Sequence, residues 1–298
     1  MPHTHFLSKK DIIIPKRNPK SKKGDNGRVL IIGGSRDYTG AVALAGISAL
    51  RAGCDWVTIA CPEKVAWAIN SLSADLVTKK LPGEYISLRH YKLLLGMITH
   101  YDTVLIGNGT GLRKETQLLI KKIITIPNLK VIDADAIKTV NMIELRNSII
   151  TPHIKELEIF MRNSGIAESN INKINNEKSP LKISRLLSLL LRDFLCNNNV
   201  ILLKGHIDII LSEQRILFNK TGNPGMAKAG TGDVLAGLCL GFLAQNHDLL
   251  QSAINSAYIN CMIGDLLFKK KKGYSFIASD MITDIENVTK RLQLSKLN

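Results

Sequence analysis

A carboxylate closing a run of glycines marks where this chain can do chemistry. In Gly222-Asn223-Pro224-Gly225-Met226-Ala227-Lys228-Ala229-Gly230-Thr231-Gly232-Asp233, followed by Val234-Leu235-Ala236-Gly237, a glycine-rich turn runs into an apolar helix with Asp233 at the junction. Glycines permit positive φ and close approach of a ligand to the backbone, and the first amides of a helix, with its dipole, favour an anion. Phosphate is the anion such a cradle suits. Asp233 would repel it unless the carboxylate caps the helix or takes a proton from an attacking hydroxyl, and Gly230-Thr231-Gly232-Asp233 alone leaves both readings open.

Ligands of open α/β sheets collect beyond the carboxyl ends of the strands, and other residue clusters here fall at such ends. Gly33-Gly34-Ser35 through Thr39-Gly40-Ala41 follows Val29–Ile32 and opens a helix with small residues. It does not match Gly-x-Gly-x-x-Gly, so a redox-cofactor fingerprint is not supported. Gly107-Asn108-Gly109-Thr110-Gly111 follows Val104–Ile106, and glycines this dense imply close backbone approach. In Asp133-Ala134-Asp135-Ala136 one carboxylate is expected to cap a following helix and the other to meet a magnesium-linked phosphate through water. In Thr151-Pro152-His153, Pro152 is expected to open a helix capped by Thr151, with His153 turned toward the strand ends. Lys204-Gly205-His206-Ile207-Asp208 offers backbone to wrap a nucleotide and an ammonium to offset phosphate charge.

These clusters need a scaffold, and from Arg28 onward strand-length apolar runs alternate with helix-length amphipathic stretches, the pattern of a mostly parallel sheet covered on both faces. Strands are expected at 29–32, 56–59, 103–106, 130–132 and 200–203, with a hairpin from 207–211 and 215–218. Helices are expected at 41–52, 114–124, 154–162, 181–196, 234–244, 249–268 and 279–293. The Asn-rich stretch from Arg162 to Pro180 reads as a surface loop. Residues 1–23 read as a basic N-terminal arm and 24–298 as one domain.

The chain has 298 residues, 45% of them hydrophobic, enough for a large buried core. Neither a secretory leader nor a membrane anchor is visible, and the apolar run 234–244 is too short to span a bilayer, so a cytoplasmic location is expected. Five cysteines without a Cys-x-x-Cys pair argue against a disulfide framework or zinc site and suggest core thiols. No protein-held metal is expected. The formal charge of +15 would suit a polyanion, but the lysines are spread along the chain, so no nucleic-acid partner is expected. A basic surface equally suits dinucleotide substrates.

Taken in order, the stretches Lys23–Ser35, Tyr38–Ala41, Asp133–Ala136, Thr151–His153, Leu203–Gly205, Asn223–Ala227 and Gly230–Asp233 resemble the ADP-dependent NAD(P)H-hydrate dehydratases of the ribokinase-like superfamily. The resemblance covers roughly residues 23 to 290. It implies a three-layer α/β fold and a repair reaction on (6S)-NADHX and (6S)-NADPHX, with ADP as phosphoryl donor, Mg2+ as cofactor, and AMP and phosphate released. Asp233 would be the base, and the amides of Gly230, Thr231 and Gly232 the anion hole. Ala41, Gly109, Gly111 and His153, with Asp233, would meet the hydrate. Lys204, Gly205, His206, Ile207, Asp208 and Gly232 would meet the adenine nucleotide. The resemblance further implies a homo-oligomer, a homotetramer in relatives, and a separate epimerase as functional partner.

Asn108 and Thr110 stand where the family usually has Pro and Leu, and Lys228-Ala229 where it has Thr-Gly. Lys228 is expected to bring a charge near the phosphates, and Ala229 to stiffen the loop. Two other readings remain: a ribokinase-like kinase of a vitamin precursor, and a non-catalytic nucleotide- or nucleic-acid-binding protein.

Overall fold

The computed structural model describes residues 3–270 and 273–294, leaving part of the basic run Lys269 to Lys272 outside the described residues. The strands are β1 (His3–Phe6), β2 (Arg28–Ile32), β3 (Trp56–Pro62), β4 (Val77–Leu81), β5 (Thr103–Ile106), β6 (Leu129–Ile132), β7 (Ser148–Ile150), β8 (Val200–Leu203), β9 (Asp208–Leu211) and β10 (Arg215–Asn219). The helices are α1 (Gly40–Ala52), α2 (Glu63–Leu72), α3 (Tyr91–Ile98), α4 (Lys114–Ile124), α5 (Ile154–Asn163), α6 (Glu168–Asn176), α7 (Pro180–Leu190), α8 (Arg192–Cys196), α9 (Thr231–Asn246), α10 (Leu249–Lys270) and α11 (Ala278–Leu294).

All the described strands join one sheet in the order β1-β10-β9-β8-β7-β6-β5-β2-β3-β4. Only β9 runs against its neighbours. From β2 the chain moves through β3 and β4 toward one edge and then returns to β5 on the other side of β2, so the order reverses between β2 and β5. A crevice opens at such a reversal.

Alternation along the strands sends Val29, Ile31, Leu105, Val131 and Leu202 to one face, against α1, α9, α10 and α11. Leu30, Ile32, Ile106, Ile132 and Leu203 face the other way, toward α3 to α8. The sheet is thus the middle of three layers, the architecture that the motif series implies. α9 is apolar on every side because it lies between the sheet and α1, and Val234 to Ala244 are all buried. Gly237 is where the two helices touch: a methyl there would fall 2.2 Å from Ala45 O. The Ser48 hydroxyl adds a buried bond to Val234 O at 2.7 Å. Together these contacts fix the start of α9.

Several expectations need correction. The stretch read as a loop contains α6, whose Ile171 and Ile174 are buried one helical turn apart. The helix expected over 181–196 breaks at Leu191 into α7 and α8. Asp133-Ala134-Asp135-Ala136 opens a string of turns with no α-helix after it, so neither carboxylate is a helix cap. Cys54, Cys61, Cys239 and Cys261 are buried, but Cys196 is exposed. Residues of the expected basic arm lie against the rest of the chain: β1 pairs with β10, Ile12 is fully buried, and Asn255 exchanges two hydrogen bonds with the Ile13 backbone. No described helix is long and apolar enough to cross a membrane.

Candidate active site

Four adjacent strands, β5 to β8, end beside the first turn of α9, and each contributes a polar residue just past its end. From β5 comes Asn108, from β6 Asp133, from β7 Thr151 and His153, and from β8 Lys204. Asn108 is fully buried and its Nδ2 donates to Asp233 Oδ1 at 2.6 Å and to Asp133 Oδ2 at 2.8 Å. Asp133 Oδ1 accepts from the Thr151 hydroxyl at 2.7 Å and from Lys204 Nζ at 3.4 Å. Lys204 Nζ also lies 3.8 Å from Glu156 Oε2. Buried charges survive only when paired and hydrogen-bonded, and this group meets that condition by sharing one cation among several carboxylates.

The electrostatics follow from burial and neighbours. Burial pushes the Asp233 carboxyl up, the Asn108 hydrogen bond and Lys204 oppose it, Asp133 and Glu156 add to it, and the result is a pKa of about 6. Such a carboxylate is ionised near neutrality yet basic enough to accept a proton. For Lys204, burial disfavours the ammonium, but Asp133, Glu156 and Asp233 outweigh it and its pKa is raised. It therefore stays a cation. A methyl at Gly232 would sit 3.4 Å from Lys204 Nζ, so that cation lies against the first turn of α9.

That turn starts at Gly230, whose φ of 91° is left-handed backbone that glycine adopts without strain. Among the described residues, no acceptor takes the amides of Gly230 and Gly232. The Thr231 amide points back to Lys228 O at 3.4 Å, and its hydroxyl bonds Met226 O and Lys228 O. Two amides with no internal partner, a helix N-terminus and a buried ammonium converge on one spot, where an anion is favoured. The loop before it is anchored by Asp265, which accepts from Gly222 N and Asn223 Nδ2.

His153, rather than Thr151, caps α5: its Nδ1 accepts from the amides of Lys155 and Glu156 while Glu156 Oε2 accepts from the His153 amide. With Nδ1 accepting, a neutral ring carries its proton on Nε2, which lies 3.6 Å from Glu156 Oε1. Thr151 is released to hold Asp133. Gly109 abuts the start of α1, where a methyl would come within 3.4 Å of Ala41 Cβ. The Gly111 amide donates to Asp135, which pairs with Lys138 at 2.9 Å. Gly205 and His206 are exposed and Ile207 half-buried, whereas the Asp208 carboxyl turns inward to Gly205 N, Asn219 Nδ2 and Cys261 Sγ. Asp208 thus shapes the 204–208 loop from behind.

Lys228 brings no free charge to the site. Its ammonium donates to the carbonyls of Tyr274 and Phe276. Thr110 closes the turn after β5 by bonding Gly107 O. The residue whose role the sequence hid is Asn108, visible there only as a departure from a motif. Two cavities of ≈ 470 and ≈ 260 Å³ lie around the opposite ends of the strands, lined by residues such as Asn198 and Arg215 or Arg28 and Trp56. The carboxylates and the ammonium instead gather at the reversal point, which makes that end the candidate for chemistry.

No group of three His, Cys, Asp or Glu among the described residues is arranged to hold a metal ion. Magnesium is commonly held by substrate phosphates with one or two carboxylates rather than by an all-protein cage, and this arrangement suits an ion carried in on a bound nucleotide.

The family model described as NAD(P)H-hydrate dehydratase matches residues 29–287. A bifunctional NAD(P)H-hydrate repair enzyme from Methanothermobacter thermautotrophicus is 38% identical over 291 residues, covering 95% of this chain and 54% of that protein. This chain spans about half the length of that relative. An ADP-dependent (S)-NAD(P)H-hydrate dehydratase from Cenarchaeum symbiosum is 32% identical over 282 residues, covering 93% of each. In three dimensions a ribokinase-like superfamily protein from Enterococcus faecalis superposes with a TM-score of 0.79 at 25% identity, covering 97% of this chain and 96% of that one. The match favours a dehydratase over a vitamin-precursor kinase, and the chain belongs to the NAD(P)H-hydrate dehydratase family.

Proposed function

We propose that this chain repairs damaged nicotinamide cofactors, dehydrating (6S)-NADHX and (6S)-NADPHX at the expense of ADP. The observation carrying the reading is the Asp233 carboxyl, with a pKa of about 6, one residue from the unpartnered Gly232 amide and near the Lys204 ammonium. A base and an anion cradle then share one helix end.

In this reading Asp233 accepts the proton of the C6 hydroxyl as its oxygen attacks the β-phosphorus of ADP, and AMP departs with the bridging oxygen. The amides of Gly230 and Gly232, the Thr231 turn and Lys204 stabilise charge on the transferring group, which is the main work of a phosphoryl-transfer catalyst. Magnesium, carried in on the nucleotide, would neutralise phosphate charge. Phosphate is a far better leaving group than hydroxide, so the ring nitrogen lone pair expels it from C6, and loss of a proton from C5 restores the reduced ring. The sum is hydrate plus ADP to reduced cofactor, AMP, phosphate and a proton.

Ala41, Gly109, Gly111 and His153 would bound the hydrate, and the backbone of Lys204 to Asp208 the adenosine. An epimerase acting on the same damaged cofactor is the functional partner that the reading implies, and a homo-oligomer its expected assembly. Incubation with MgADP and (6S)-NADHX tests the reading through absorbance at the reduced-nicotinamide band. Recovery with release of AMP is the expected result; folded protein that gives none, or that accumulates a phosphorylated hydrate, refutes it.

A further inference from the structure

We propose that Asn108 is the positioning residue of this site, tethering Asp233 through Oδ1 and thereby leaving Oδ2 as the oxygen that takes the substrate proton. The inference rests on Asp233 being the base.

Among the described residues, Asn108 is the one side chain that donates a hydrogen bond to Asp233. The other hydrogen of the same amide is spent on Asp133, at 2.8 Å. Asp133 is itself immobilised by Thr151 from β7 and Lys204 from β8, so the tether runs from α9 into the rigid centre of the sheet. Asn108 lies fully buried while its Oδ1 has no partner. An orphaned acceptor in the interior is a penalty, so what the side chain contributes is its pair of donors. Two N–H groups facing two carboxylates suit asparagine well: aspartate would add a third negative charge, and an aliphatic residue would leave the pair to repel each other.

The geometry also divides the two oxygens of Asp233. Oδ1 is occupied at 2.6 Å, and Oδ2 has no donor among the described residues. A bond to the ionised form favours that form, which offsets part of the burial that raises this carboxyl. The charged and titratable groups that act on Asp233 are Asp133 after β6, Glu156 at the start of α5, and Lys204 after β8. Of these, only Lys204 is a permanent counter-charge.

The test compares wild type, Asn108→Ala, Asn108→Thr and Asp233→Asn, reading the pH profile of kcat with MgADP and (6S)-NADHX and the carbon-13 titration of the Asp233 carboxyl. Removing the amide should move the Asp233 midpoint and the acid limb of kcat up together by about one pH unit, which from a midpoint near pH 6 is roughly a fivefold loss at pH 6. KM for ADP should stay within about twofold. An unchanged midpoint and limb in Asn108→Ala overturns the proposal. Should the variants fail to fold, wild type alone decides it, because the side-chain amide of Asn108 must shift with the same midpoint as Asp233, and an amide blind to that titration refutes the tether. Wild-type turnover in Asp233→Asn would instead reject the base assignment, an outcome separate from the titration of the tether.

Discussion

Lys204 and Asp133 meet at 3.4 Å although they end strands β8 and β6, with β7 lying between them. The contact crosses a whole strand and is the principal positive charge among Asp133, Glu156 and Asp233. Replacing Lys204 by Met should therefore leave uncompensated buried carboxylate charge. Breaking such a pair from one side costs about 3–5 kcal/mol, read as a lower urea midpoint at pH 7.5. Because Lys204 also holds the Asp233 carboxyl down, its removal should raise the pH at which activity appears. A variant with wild-type stability and an unmoved acid limb would show the ammonium to be idle.

Asp233→Asn should separate chemistry from binding and from stability. General bases contribute about 10²- to 10⁴-fold to rate, so turnover should fall by that order while ADP still binds. Stability should move the other way. The folded protein holds the Asp233 proton up to about pH 6, above the ordinary carboxylate range, so folding binds more protons between pH 4 and 6 and the contribution of this group to stability falls as pH rises through that window. Above pH 6 the ionised carboxylate costs on the order of 2–3 kcal/mol, which the amide avoids. The variant should thus melt at a higher temperature than wild type at pH 7.5 and show little gain at pH 4.

Much of the scaffold was legible because its strands are buried on both faces. Val29–Ile32, Val104–Ile106 and Val200–Leu203 are short unbroken apolar runs, the signature of central parallel strands. β4 escaped notice because an edge strand carries Thr78, Lys79 and Lys80, which guard it against pairing and erase the apolar run. β7 is three residues long, and α6 has only Ile171 and Ile174 buried among asparagines, so neither offers enough periods to read. Asp233 was visible because its turn is contiguous. Asn108 was not, because its function is a contact across 125 positions that no local pattern encodes.

Gly237 lets α9 lie against α1, and through it Asp233 is held at the reversal point of the sheet. Alanine there would drive a methyl to within 2.2 Å of Ala45 O, backbone that cannot swing aside. Overpacking of this kind costs typically about 1–3 kcal/mol. The expected outcome for Gly237→Ala is a lower melting temperature together with a drop in kcat larger than the change in KM for ADP, since the helix start must shift. Equal stability with equal kcat would mean that the two helices are free to separate without consequence.

Lys228 stands in the glycine-rich loop, where a cation beside phosphate would be expected to strengthen nucleotide binding. The fold directs it elsewhere. Its ammonium is held by the carbonyls of Tyr274 and Phe276 and lies 5.2 Å from the centre of the Phe276 ring, which ties the loop to the segment leading into α11. Lys228→Gln should therefore leave KM for ADP within about twofold, whereas loss of a charge-assisted phosphate contact worth about 1.5–3 kcal/mol would raise it more than tenfold. The deficit should appear instead as faster proteolysis of the loop and a slightly lower melting temperature, because the clasp on 274–276 is weakened. Salt gives an independent check: screening acts on exposed phosphate contacts, so the ratio of wild-type to variant KM should stay flat as ionic strength rises. A ratio that starts well below one and climbs toward one with added salt would place the ammonium on the nucleotide after all.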